Sequence, residues 1–188
     1  MVTQENPRTY EFVGGNLALD FANTVHSVGA EDPQDDLQTW ADLLAWGRGA
    51  GVVKKTDTDD GDLERFKDLR VVIFELFSHV PGKGKSALAA FNRHLKRSMA
   101  VVQLEHESGT YQLKSAHSDP ASRLYFAITQ AAADLLLSGQ LDRVRQCAGE
   151  NCTWLFLDTS RNGTRRWCEM SACGNRAKVR RFRKRQDG

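Results

Sequence analysis

With 188 residues, 40% of them hydrophobic and 27% charged, the chain has the composition of an ordinary soluble globular protein and the length of one domain, or of one domain with a small satellite. That excludes a collagen-like, fibrous or wholly disordered chain, and no apolar run nears the roughly 18 residues a membrane helix needs. The formal net charge of +2 conceals a division: residues 1–142 carry 14 Lys and Arg against 20 Asp and Glu, a balance of −6, whereas residues 143–188 carry 12 against 4, a balance of +8. An acidic body with a basic end points to a polyanionic partner, most often nucleic acid.

The polar stretch Met1 to Arg8 has no apolar segment ahead of a small-residue cleavage site, so a cytoplasmic location is expected, with no membrane partner. Gly14-Gly15 then allows a tight turn, after which Leu17, Leu19 and Phe21 alternate and Asp20 and Asn23 present polar groups. Asp20, Asn23, Thr24 and His26 are candidates for a ligand pocket or sensing surface. The preferred reading makes Asp20 a cap or a buried hydrogen-bonding anchor, because no second polar cluster accompanies these residues. Asp36 is expected to cap a helix through Leu37, Trp40, Leu43, Leu44 and Trp46, stopped by Gly47 and Gly49. Lys54 to Asp62 reads as an exposed acidic loop. Leu63, Phe66, Leu69, Ile73, Leu76 and Phe77 mark one face of a long helix ended by Pro81 and Gly82, and Leu88, Phe91, Leu95 and Met99 mark another. Val101 to Glu105 and Tyr111 to Leu113 flank Ser108-Gly109 as a hairpin, and Asp119 followed by Pro120 opens a helix that runs through Leu137 to Gly139.

The cysteines, Cys147, Cys152, Cys168 and Cys173, all fall in the basic segment, as two pairs with the same internal spacing. In a reducing compartment, clustered pairs are better metal ligands than disulfide partners, and four thiolates in a tetrahedron suit one Zn²⁺ per chain. A redox pair or an iron–sulfur cluster remains an alternative. Between the pairs, Trp154 to Leu157 reads as a strand, Asp158 to Gly163 as a turn, and Thr164 to Trp167 as the returning strand; a helix over Ala172 to Arg185, capped by Ser171, follows. Knuckle, hairpin and helix together form a treble-clef-like zinc module, with Trp154 and Trp167 in its core.

The string from Arg165 to Met170, continued by Cys173-Gly174-Asn175-Arg176 and Lys178, resembles the CGNR zinc-finger domain, and Gly15 to Thr24 resembles the start of the ABATE domain. The resemblance implies a bacterial stress-induced transcription regulator whose four cysteines hold zinc. The expected fold is mainly α with a small β-hairpin (α+β), organised as an ABATE-like domain over residues 1–142 that senses or assembles, and a zinc-binding basic module over 143–188.

Seven basic residues lie between Arg176 and Arg185. Arg176, Arg180, Arg183 and Lys184 share one helical face, Lys178, Arg181 and Arg185 another, and Ala177, Val179 and Phe182 are left to pack on the hairpin. With Arg165 and Arg166 these cations are the candidate nucleic-acid contacts, for double-stranded DNA first and RNA second. An adaptor docking an acidic partner is a third reading. Homodimerisation through the helical domain and a small-molecule effector stay open. Gly174 and Asn175 are assigned structural roles beside the metal. No phosphate loop, dinucleotide fingerprint, nucleophile elbow or zinc-protease motif is present, and His26, His79, His94, His106 and His117 are scattered, so no enzymatic activity is expected.

Overall fold

A computed structural model describes residues 9–58, 60–78 and 84–186. Asn16 accepts a hydrogen bond from the Ala18 N–H and opens helix α1, Leu17–Ala22. The alternation seen in the sequence is therefore folded as one short helix, buried on nearly every side because it lies inside the core. Strands β1 (Val25–His26) and β2 (Gln34–Asp35) pair antiparallel. Helix α2, Trp40–Gly49, is capped by Thr39 rather than Asp36: Thr39 and Asp42 form a reciprocal capping box, which satisfies two orphan N–H groups. Asp36 instead pairs with His26 at 2.9 Å. Gly47 lies within α2 and does not stop it; a Cβ there would sit 2.6 Å from Val53 and 3.2 Å from Leu124, so the glycine permits close packing.

Helix α3, Leu63–Phe77, is capped by Asp62. The expected stop at Pro81 and Gly82, like His79, lies outside the described residues. The preceding acidic loop is tethered: Asp57 accepts from the Lys54 N–H, takes an ion pair from Arg123, and offers its carbonyl to Arg48. Helix α4, Gly84–Met99, buries Ala87, Phe91, His94 and Ser98, while Leu88 and Met99 are exposed, so its inner face is rotated from the one read by hydrophobicity. His94 Nδ1 meets the Tyr125 hydroxyl at 2.6 Å, and Thr129 donates to Ser98 at 2.7 Å; these polar pairs let the face enter the core. Strands β3 (Val102–Glu107) and β4 (Thr110–Ser115) form the expected hairpin, turning at Ser108 and Gly109, both with positive φ. Helix α5, Pro120–Leu137, starts at Asp119 as expected.

Helices α1, α3 and α5 supply much of the main core, with Trp46, Phe21, Phe66 and Ile73 fully buried. That core also takes in Val144 and Leu155 from the C-terminal segment. Strand β5 (Val144–Gln146) pairs antiparallel with β6 (Leu155–Leu157), so β6 finds its partner upstream. The expected return strand, Thr164 to Trp167, is irregular instead. A wide turn of π type over Met170–Gly174, with Glu169 accepting from Ser171, leads into helix α6, Asn175–Gln186. No helix among the described residues is long and apolar enough to cross a membrane. The class is mainly α with small antiparallel hairpins.

Candidate metal centre

The β5–β6 connection carries Cys147 and Cys152. Its neck is closed by the Cys147 N–H donating to the Trp154 carbonyl at 2.8 Å. Gly149 occupies the bend, where a Cβ would lie 3.1 Å from Cys152 Cβ and Cys173 Sγ and 3.3 Å from Cys147 Sγ; the space belongs to the sulfurs. Cys168 arrives on the irregular segment, held by its N–H to Cys147 Sγ (3.3 Å) and by the Ala148 N–H to the Arg166 carbonyl (2.9 Å). Cys173 comes from the wide turn just before α6 rather than from the first turn of the helix itself.

All four sulfurs lie within 4.8 Å of one another, with Cys152–Cys168 at 3.8 Å and Cys168–Cys173 at 3.7 Å. A zinc–sulfur bond of ~2.3 Å in a tetrahedron sets sulfur–sulfur edges of roughly 3.8 Å, so the donor set fits. The electrostatics agree. A hydrogen bond from Cys168 lowers the Cys152 thiol to about 5, while the Cys152 sulfur and burial push Cys168 far above the ordinary thiol range, and burial raises Cys147. Four crowded thiols cannot all ionise alone; a dication removes that conflict. The four sulfurs together accommodate one zinc ion. Full thiolate ligation would lower the segment's balance from +8 to about +6.

Arg176 donates to Cys173 Sγ at 3.2 Å. Arg165 turns inward, with its guanidinium on the Trp167, Val13 and Cys168 carbonyls and its carbon 4.3 Å from the Phe156 ring centroid. Arg166 is exposed beside Trp167. Asn175 donates to the Ser171 carbonyl, which closes the wide turn. Gly174 makes room for Met170, whose sulfur would lie 2.4 Å from a Cβ there. Trp154 is buried and Trp167 packs on the same cluster, both as expected.

The N-terminal candidates meet this centre from the other side. The Asn23 side chain donates to the Leu155 carbonyl (2.8 Å) and accepts from the Leu155 N–H (2.7 Å), and the Gly14 carbonyl accepts from the Leu157 N–H (2.8 Å). The outer edge of β6 is thus satisfied by the segment around α1. Asp20 accepts from the Gly14 N–H at 2.7 Å; burial raises its carboxyl to about 6 against the opposing pull of that bond. Thr24 donates to the Phe21 carbonyl and accepts from Arg70, which grips Asp35 with two bonds of 2.7 and 2.6 Å. His26, whose imidazole pKa is raised by the Asp36 hydrogen bond against burial, lines a cleft of about 290 Å³ with Glu150, Cys152, Trp154 and Arg176. Asp20, Asn23 and Thr24 make internal bonds and do not line this cleft.

Residues 143–186 match the CGNR zinc finger, and residues 15–139 match the family described as "Putative stress-induced transcription regulator", ABATE. No curated protein matches the chain. Since the second match spans well over half of its length and the first covers the four-cysteine cluster, the chain belongs to the ABATE family and carries a C-terminal CGNR zinc finger.

Proposed function

We propose that the protein regulates transcription by binding double-stranded DNA through α6, with the zinc cluster fixing the helix and the ABATE part carrying the regulatory input. The observation that carries this is the exposure of α6: it has no buried residue and bears seven cations from Arg176 to Arg185. Lys178, Arg181, Arg183, Lys184 and Arg185 are exposed. Arg180 meets Glu150 at 3.0 Å in a solvent-exposed pair of small energetic weight, readily exchanged for a phosphate. Arg166 adds a further exposed cation, while Arg165 is engaged within the module. Twelve residues give a helix of about 18 Å, a length the major groove accepts.

Binding of this kind releases counterions and falls steeply with salt. Electrophoretic shift assays on the zinc-loaded chain with duplex DNA, single-stranded DNA and RNA, repeated across salt, test it. Duplex DNA should bind best. Arg181→Ala with Arg185→Ala should reduce the salt slope by about 2 without changing zinc content. No duplex binding at low salt would refute the reading, preference for RNA would favour an RNA-associated module, and binding to none of the three would favour an acidic protein partner.

A further inference from the structure

Helix α6 carries apolar side chains where the sequence led one to expect packing: Val179 is 48% and Phe182 61% exposed. A helical turn of 3.6 residues places Asn175, Val179, Phe182 and Gln186 along one line, at successive spacings of four, three and four. Lys178, Arg181 and Arg185 run parallel to that line on one side, and Arg176, Arg180 and Arg183 on the other; Lys184 lies opposite. The ridge is free in its middle, since Asn175 is occupied with the Ser171 carbonyl, while Val179, Phe182 and Gln186 are exposed.

A protein partner for this face would need an apolar furrow with an acidic rim on both sides. Duplex DNA offers that arrangement in its major groove, about 12 Å wide, where thymine 5-methyl groups lie between two rows of phosphates. A helix of roughly 10–12 Å diameter seated there turns its central line to the base edges and its flanks to the backbones. The deep, narrow major groove of A-form RNA does not admit it.

Building on DNA binding through α6, we propose that Val179 and Phe182 are the base-reading ridge, making apolar contact with thymine methyls, while Lys178, Arg181 and Arg185 on one flank and Arg180 and Arg183 on the other hold phosphates. The protein accordingly selects sites with thymine at the positions beneath these two residues, and Gln186 lies at the end of the same line.

The test uses the full chain loaded with zinc. Duplexes are selected from a random pool, and the selected site is then resynthesised with deoxyuridine replacing one thymidine at a time, which deletes only the methyl. Wild type should lose about fourfold in affinity at each contacted position, the factor expected for one buried methyl-sized group. In Phe182→Ala that sensitivity should disappear at one or two positions, with zinc content and salt slope unchanged; Val179→Ala should erase it at a neighbouring position. Salt-dependent duplex binding with no selected consensus, or with indifference to every deoxyuridine, overturns the base-reading ridge and leaves DNA binding standing. Retained sensitivity in both variants overturns it as well. Failure of wild type to bind any duplex at low salt removes both proposals.

Discussion

Replacing Asn23 with alanine removes one side chain and two bonds at once, because its amide serves both backbone groups of Leu155, at 2.7 and 2.8 Å. Asn23 is 3% exposed and Leu155 is fully buried, so water does not readily substitute. Each buried backbone group left unpaired costs about 1–3 kcal/mol, which puts the loss at about 2–6 kcal/mol. That is a large share of the stability of an ordinary domain, and it falls on the strand that follows the Cys147–Cys152 loop. Urea unfolding of the zinc-loaded chain should show the lower midpoint, and transfer of zinc to a competing chelator should be faster under native conditions. Asn23→Asp should be no milder at pH 7: its carboxylate still accepts from the Leu155 N–H but sets a buried charge against the Leu155 carbonyl. A change below about 0.5 kcal/mol, the range of surface substitutions, would refute the assignment of Asn23 as the clamp between the two parts of the chain.

Asp20→Asn keeps an acceptor for the Gly14 N–H and removes a charge that burial disfavours. With the folded-state pKa raised to about 6 from 3.8, the folded chain binds the proton more tightly, so the carboxyl's contribution is most favourable below pH 3.8 and is lost as the pH rises to about 6. Asp20→Asn should therefore exceed wild type in stability at pH 7, by up to about 3 kcal/mol, and differ little near pH 3; a wild-type advantage at pH 7 would contradict this. Arg70→Met strands the Asp35 carboxylate, whose pKa is held low despite burial by its bonds to Arg70, and should cost about 3–5 kcal/mol in urea unfolding, against little change if the pair were merely a surface contact. Cys168→Ser should reduce zinc from one ion per chain to none by elemental analysis; a full complement of zinc would exclude Cys168 as a ligand. Arg176→Met removes the donor to Cys173 Sγ and should weaken zinc affinity about tenfold by chelator competition, with unchanged affinity showing that the contact is idle.

What the sequence made legible was local. Asp119-Pro120 marked the start of α5, Ser108-Gly109 the β3–β4 turn, and the cysteine spacing the metal cluster, because each signal acts within a few residues of its effect. The misread elements answer to partners distant in the chain. The inner face of α4 contains His94 and Ser98, acceptable there only because Tyr125 and Thr129 lie opposite on α5. Asn162-Gly163 suggested that the chain returns beside β6, but Gly14 and Asn23 occupy that edge, and Arg165 spends its guanidinium on carbonyls that hold the following segment in an irregular path. Within α1, alternation counted hydrophobic residues and missed Asn16, the cap that starts a helix. In α6 the positions of the cations were plain, yet Val179 and Phe182 were assigned to a core that does not reach them.

The borrowed edge of β6 has a consequence for how this chain can be divided. Cut away from residues 1–142, the zinc finger would present the Leu155 N–H and carbonyl and the Leu157 N–H along an open, apolar strand. Such an edge recruits other strands, and the nearest supply is another copy of itself. In the intact chain Gly14 and Asn23 cover that edge, and a finger liberated from them would trade solubility for independence.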